Sequence, residues 1–449
     1  MTHTARVLIV GEDADQNQPL SGRLRVCGYE CATTSPDDLS APTVGGFRPD
    51  IVVLNLLADF GRRPPGDYVA YARAIRERPG SSLLPVLMVG AREPEHTACA
   101  VAAAERADID DVMLSPVNDL QIVERIRSLM RLNTMHDELV RRLNTSARYG
   151  VDAPAPPAQP QLAQDADVLV VGASPEFRTY EEALAPIATL TGALTPATAL
   201  EYLDRRNFEV IIIDSGSDAG NVADFCHQCR ANSRLYNTPI IITAEPDVIP
   251  ATSSMFSQGI TDLLIKPLEP EELKVRVMAL VREVRFRESM RQVYAQALHM
   301  STGDALTGLY TRGFALEHLT GMIREVQVRG IAFSVAFGRI ANINEINMLH
   351  GYAVGDRVIR QVGDLIGLLV RGEDLSVRYG GANFAVILPD TSENAAKTAT
   401  KRAIGVINHT DFAIPELFTP VPVVFNMGVT GYREGDTAEG ILARAAAQT

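Results

Sequence analysis

Positive charge is in short supply: 42 lysines and arginines face 55 aspartates and glutamates, a formal net charge of −13. A protein that grips nucleic acid regardless of sequence needs a basic face to displace counterions, so that class is disfavoured. Long apolar runs are missing too. No stretch of about 18 or more apolar residues occurs, and the N-terminus MTHTARVLIVGED lacks a charged-then-apolar leader, so the expectation is a cytoplasmic protein without membrane insertion. The five cysteines are odd in number and scattered, which argues against a disulfide framework. The one suggestive pair, Cys226-His227-Gln228-Cys229, has no second ligand pair for zinc. It also lies inside the helical pattern DFCHQCRANS, not at the helix N-terminus that a redox pair requires, so it reads as small buried thiols on a helix.

What is present is ample core material. With 449 residues, 46% hydrophobic and 22% charged, the chain has room for two to four domains, each able to bury a core. An internal repeat organises the first two thirds. ARVLIVGED is echoed by ADVLVVGAS, PDIVVLNLL by FEVIIIDSG, LPVLMVGAR by TPIIITAEP, and DDVMLSPVNDLQIVERI by TDLLIKPLEPEELKVRV, in the same order. Short continuous apolar runs separated by helical segments fill parallel strands covered on both faces, so each copy is expected to be a doubly wound, flavodoxin-like α/β domain. The Pro/Ala-rich stretch DAPAPPAQPQLAQ (152–164) reads as a linker. An apolar stripe at helical spacing over 271–300 predicts one long helix entering a third domain of strands (IAFSVAFGRI, FAVILP, VPVVFNMGVTGY) and amphipathic helices. The expected boundaries are 1–132 for the first repeat, 133–165 for a helix end and linker, 166–285 for the second repeat, 286–302 for a connecting helix and 303–449 for the last domain.

Each repeat resembles the receiver domain of two-component signalling. A receiver places an acidic pair for Mg²⁺, a phosphoacceptor aspartate, a Ser/Thr and a lysine at successive strand ends. In the first copy Asn55 stands at the acceptor position, Gly90 at the hydroxyl and Ser115 at the lysine, with Glu12 and Asp13 as the remnant of the acidic pair. An amide cannot form an acyl phosphate. In the second copy Asp214, Thr243 and Lys266 are in place, but Gly172 and Ala173 replace the acids, and without Mg²⁺ transfer to Asp214 should be very slow. Both repeats therefore read as packing and docking modules for protein partners.

The landmarks GDALTGLYTRGFA, INEINMLHGYAVGDRVI, RYGGANFAVILPD and NMGVTGY resemble the diguanylate cyclase domain, named for its Gly-Gly-Asp/Glu-Glu-Phe turn. Two receivers followed by such a domain is the layout of PleD-type response regulators, and the substitutions resemble those of a degenerate, non-catalytic paralogue of that type. The resemblance implies that the metal-binding aspartate of the first strand falls at Arg339, the turn carboxylate at Ala382 and the following glutamate at Asn383. Lost ligands and a fixed positive charge both oppose a divalent cation, so no metal, cofactor or catalytic residue is expected. The sequence also stops at ILARAAAQT, before the family's last helix supplies a phosphate-binding lysine and arginine. Asn347 and Asp356 match the guanine-recognising pair and form a vestigial guanine pocket, or else a helix polar face and a cap.

Upstream of the turn, Arg371-Gly372-Glu373-Asp374 gives the R-x-x-D of the family's cyclic di-GMP site, with Arg402 as its third member and Lys401 beside it. Arginine can donate in parallel to guanine O6 and N7, and aspartate can accept from guanine N1 and N2. The reading is a non-catalytic effector and adaptor, homodimeric, that binds cyclic di-GMP and docks protein partners. The paralogue's resemblance adds placement at a cell pole and regulated proteolysis in cell-cycle control. Two alternatives stand beside it: a weakly active or heterodimer-rescued cyclase, and a scaffold that binds no nucleotide.

Overall fold

The computed structural model describes residues 5–12, 14–37, 47–57, 64–77, 84–91, 93–106, 108–114, 117, 119–150, 154–157, 165–172, 177–214, 219–232, 234–245, 256, 259–299, 303–329, 332–415 and 417–449. It divides into two compact units, one built of Thr4–Asn133 and Ala158–Glu288, the other mainly of Thr134–Pro157 and Ser289–Thr449.

The first unit holds both repeats. In the first, β1 (Arg6–Val10), α1 (Ala14–Val26), β2 (Glu30–Thr34), β3 (Ile51–Asn55), α2 (Pro65–Arg76), β4 (Val86–Gly90), α3 (Pro94–Glu105), β5 (Asp111–Leu114) and α4 (Asp119–Arg148) alternate strand and helix. The strands pair in parallel in the order β2-β1-β3-β4-β5. The second has β6 (Ala166–Val171), α5 (Phe177–Leu184), β7 (Ala188–Ala193), α6 (Pro196–Arg205), β8 (Val210–Asp214), α7 (Ala219–Ala231), β9 (Ile240–Ala244), β10 (Asp262–Ile265) and α8 (Pro270–His299). Its parallel order β7-β6-β8-β9-β10 is the same topology. Central strands such as IVVLN and IIITA are buried at every position, which is why their sequences are apolar without alternation. Cys226 and Cys229 are buried free thiols within α7.

The repeats are joined by a buried polar seam. Arg125 Nε donates to Asp111 Oδ2 at 2.5 Å, and the equivalent Arg276 pairs with Asp262. Each side then crosses over: Arg276 Nη1 reaches Asp111 Oδ1 at 3.3 Å, Gln121 Nε2 donates to Asp262 Oδ1 at 2.7 Å and Ser128 Oγ to Glu283 Oε1 at 2.6 Å. Burial opposes charge on Arg125, but Asp111, Glu283 and Asp262 outweigh it and raise its pKa.

In the second unit, β11 (Tyr310–Thr311), α9 (Arg312–Arg329), β12 (Phe333–Ile340), α10 (Ile343–His350), α11 (Tyr352–Leu369), β13 (Leu375–Gly380), β14 (Asn383–Pro389), α12 (Glu393–Asn408), β15 (Phe425–Gly431) and α13 (Ala438–Ala446) form an α/β domain. Its sheet runs β11-β13-β14-β12-β15 and is antiparallel except for β11 on β13. Apolar clusters cover both faces, one centred on Val358, Val362 and Phe384, the other on Phe314, Val335 and Ile387. The ends of α4 and α8 pack into this unit. Residues 134–148, read from sequence as helix end and linker, bring Glu138 and Arg142 fully into its interior. Among the described residues no helix is long and apolar enough to cross a membrane.

Candidate functional site

The Gly-Gly turn joins β13 to β14. Gly380 and Gly381 have φ of +137° and +59°, values that favour glycine, and the turn needs both. It is clamped by side chains. Arg378 donates from Nε and Nη2 to the Gly381 carbonyl at 3.2 and 3.1 Å, and Nη1 is held by both Asp304 oxygens at 3.0 and 3.1 Å. Burial raises the Asp304 pKa, but hydrogen bonds from Thr307 and Arg378 outweigh it and leave it lowered. Asn383 Nδ2 donates to the Gly380 carbonyl at 3.1 Å, closing the turn on itself. Both clamp residues stand inside quoted sequence landmarks, yet their pairing across 74 positions had no local signal.

Arg339, exposed on β12, lies opposite Asn383 on one side and Asn426 on the other, and Ile340 N–H donates to the Ala382 carbonyl at 3.1 Å. Arginine, alanine and asparagine thus converge at the turn. A divalent ion does not fit this donor set, and among the described residues no group of three His, Cys, Asp or Glu could hold one. Asn347 on α10 lies against Gly355 on α11. A Cβ on Gly355 would collide with Asn347 Oδ1, and this buried oxygen has no hydrogen-bond partner among the described residues. Asp356 follows Gly355 and is exposed.

The R-x-x-D segment folds as a turn entering β13. Asp374 N–H donates to the Arg371 carbonyl at 3.1 Å, and Arg371 N–H returns a bond to Asp374 Oδ2 at 2.8 Å. Arg371 is exposed, whereas Asp374 is only 7% exposed and its Oδ1 is buried with no partner among the described residues. Burial first, and the neighbouring Glu373 charge second, push the Asp374 pKa up to about 7. Arg402 is exposed on α12, and no hydrogen bond or ion pair joins it to Arg371 or Asp374 among the described residues.

In the repeats, the acceptor positions are closed. Asn55 is buried and donates from Nδ2 to Asn17 Oδ1 at 2.9 Å, a partner on α1 that sequence did not reveal. Asp214 Oδ1 takes Lys266 Nζ at 2.8 Å, its Oδ2 faces the Tyr180 hydroxyl at 3.4 Å, and Tyr180 bonds Thr243 at 2.6 Å. Gly172 has φ +141°, and a Cβ there would meet Asp214 Cβ at 2.9 Å, so an acidic side chain has no room. Glu12 and Gly90 are described, while Asp13, Ser115 and Ala173 lie outside the described residues.

Residues 301–449 match the family "Diguanylate cyclase, GGDEF domain". The response regulator PleD of Caulobacter vibrioides is 24% identical over 443 residues, spanning 98% of this chain and 95% of PleD. The chain is thus similar to PleD over nearly its whole length, and its C-terminal third matches the GGDEF domain family. The GGDEF domain alone is similar to the probable diguanylate cyclase DgcT of Escherichia coli, 28% identical over 131 residues, 29% of this chain and 28% of DgcT. Among solved structures, the GGDEF domain of DgcB from Caulobacter crescentus in complex with c-di-GMP is 24% identical, covering 33% of this chain and 86% of that one with a TM-score of 0.32.

Proposed function

We propose that this PleD-like chain is a catalytically inactive effector that binds cyclic di-GMP through Arg371 and Asp374 and docks protein partners on its receiver-like repeats. The observation that carries the reading is the contrast within one hairpin. At the turn, Arg339, Ala382 and Asn383 present no carboxylate to a metal, and Arg339 brings a fixed positive charge. At the hairpin's entrance, Asp374 Oδ1 is a buried acceptor without a partner among the described residues, beside an exposed arginine. A buried carboxylate oxygen left unbonded costs about 1–3 kcal/mol or more, and a guanine donating from N1 and N2 removes that cost. Arg402 is assigned to the same ligand, meeting a phosphate or second guanine. The matching family and the relative DgcT are both named for diguanylate cyclase, the activity that makes this dinucleotide. The substitutions resemble those of the degenerate paralogue PopA, which suggests an adaptor that works at a cell pole and in regulated proteolysis; we further assign the chain as a homodimer.

Calorimetry of the full chain with cyclic di-GMP, paired with a GTP turnover assay in Mg²⁺ and Mn²⁺, tests this. Saturable binding without product is expected, and turnover above a no-protein control would overturn it. A second reading has one observation in its favour: the unpartnered Asn347 Oδ1 at the α10–α11 junction suits a guanine donor. GTP binding without turnover, lost in Asn347→Ala, would place nucleotide there as well.

A further inference from the structure

The R-x-x-D turn is held by a helix that starts in another part of the chain. α4 begins at Asp119, and from Thr134 onward it belongs to the C-terminal unit. There Arg142, 4% exposed, donates from Nη2 to the carbonyl oxygen of Glu373 at 2.7 Å, in the middle of the turn. Met135 reaches the same turn: a Cβ on Gly372 would meet Met135 Cε at 3.4 Å.

Arg142 is itself fixed. Its Nε donates to the fully buried Glu138 at 2.9 Å, and its guanidinium lies 4.5 Å from the ring centre of Tyr294 on α8 and 5.7 Å from that of Tyr310. The Tyr294 hydroxyl donates to the Met135 carbonyl at 2.6 Å. One guanidinium therefore ties the ends of both long helices to a single carbonyl of the turn. A buried arginine is costly to desolvate, and a charge-assisted bond to a backbone carbonyl offsets part of that cost only while the geometry is kept.

The Glu373 carbonyl and the Asp374 N–H belong to one planar peptide. Its N–H is taken by the Arg371 carbonyl and its C=O by Arg142, so its tilt is set from both sides. That tilt aims the Asp374 carboxylate and, through the Arg371 N–H bond to Asp374 Oδ2, the start of the turn.

We infer that Arg142 is a positioning residue for the ligand site, setting the 373–374 peptide so that Arg371 and Asp374 face the dinucleotide together, with occupancy reported back to helix segment 134–148. The inference rests on reading Arg371 and Asp374 as the cyclic di-GMP site. Linkage makes the coupling reciprocal: a helix that tunes affinity must feel the ligand.

Calorimetry and amide hydrogen exchange on the full chain with cyclic di-GMP test it. Arg142→Lys keeps the charge but loses the planar fork, and should weaken binding about tenfold at unchanged stoichiometry. Met135→Ala removes no charged group and should weaken it about threefold. In the wild type, saturating ligand should slow exchange at 134–148. Were Arg142 merely structural, the variants would melt earlier yet bind with wild-type affinity when folded, and exchange at 134–148 would not respond; that result overturns the inference. If wild type binds and Arg371→Ala does not, while Arg142→Lys, Met135→Ala and the exchange pattern are unchanged, the positioning role alone falls. Absence of any wild-type binding sinks the site reading and this inference with it. Should Arg142→Lys fail to fold, Met135→Ala and the exchange data decide.

Discussion

Two buried aspartates, Asp214 in the second repeat and Asp374 in the GGDEF domain, show opposite solutions to the same problem. Asp214 is sealed: Lys266 sits on one oxygen, the Tyr180 hydroxyl faces the other, and Gly172 blocks the space a metal-binding acid would need. Asp374 is also withdrawn from solvent, yet one oxygen has only its own turn's N–H and the other has no partner among the described residues. A buried carboxylate with its acceptors filled stabilises a fold. One with an acceptor open stores a cost that a ligand can relieve. The difference turns one site into structure and leaves the other with an acceptor that a ligand could fill.

The sharpest way to break the comparison is to remove each aspartate in turn. Asp214→Ala leaves the Lys266 ammonium buried without its carboxylate and should cost about 3–5 kcal/mol of stability, read as a large fall in melting temperature, with cyclic di-GMP affinity intact. An unchanged melt would show that the Lys266 pair contributes nothing. Arg371→Ala should do the reverse. Binding should fall by about 1–3 kcal/mol per guanine contacted, and stability should change by under about 0.5 kcal/mol because Arg371 is exposed. Arg371→Lys should not restore binding, since an ammonium lacks the planar fork.

The open acceptor also makes a pH prediction. Only the ionised Asp374 accepts two guanine donors, so affinity should rise as pH climbs through about 7, by up to about tenfold per unit below that value. Glu373, Arg371 and Arg142 are the charged neighbours that set this point. For folding the sign is opposite. Because the folded-state pKa is raised, the native state holds this proton more tightly than the unfolded chain, and the associated stability is lost as pH rises from the ordinary aspartate range through about 7. Asp374→Asn should flatten both pH profiles, and melting at pH 8 should rise by about 2–4 °C for each kcal/mol relieved. A binding curve flat in pH would mean that guanine does not meet this carboxylate. The smallest expected effect is none at all: acetyl phosphate with Mg²⁺ should leave Asp214 unmodified by mass spectrometry. A phosphate adduct that disappears in Asp214→Asn would reopen the sealed site.

Much of the architecture was legible in one dimension because its causes are local. Strands covered on both faces must be apolar at every position, so VLIVG, IVVLN, IIIDS and IIITA announce themselves and repeat in order. Gly380 and Gly381 mark their turn because few other residues adopt those φ values. That Arg339, Ala382, Gly172 and Asn55 are not acids is a matter of residue identity and needs no coordinates. What sequence could not supply is which distant groups share a lone pair. Arg142 and Glu373 are 231 positions apart, and Gln121 and Asp262 are 141 apart. Arg125, Arg276 and Glu138 occupy helix positions that on charge alone read as solvated faces, and only the tertiary packing of α4 and α8 buries them. The same packing turned residues 134–148 from connection into part of the support of the 371–374 turn. It also decided that Asp374, which sequence offered as an acceptor for guanine, is buried, because desolvation depends on what surrounds a side chain in space and leaves no local trace in the order of residues.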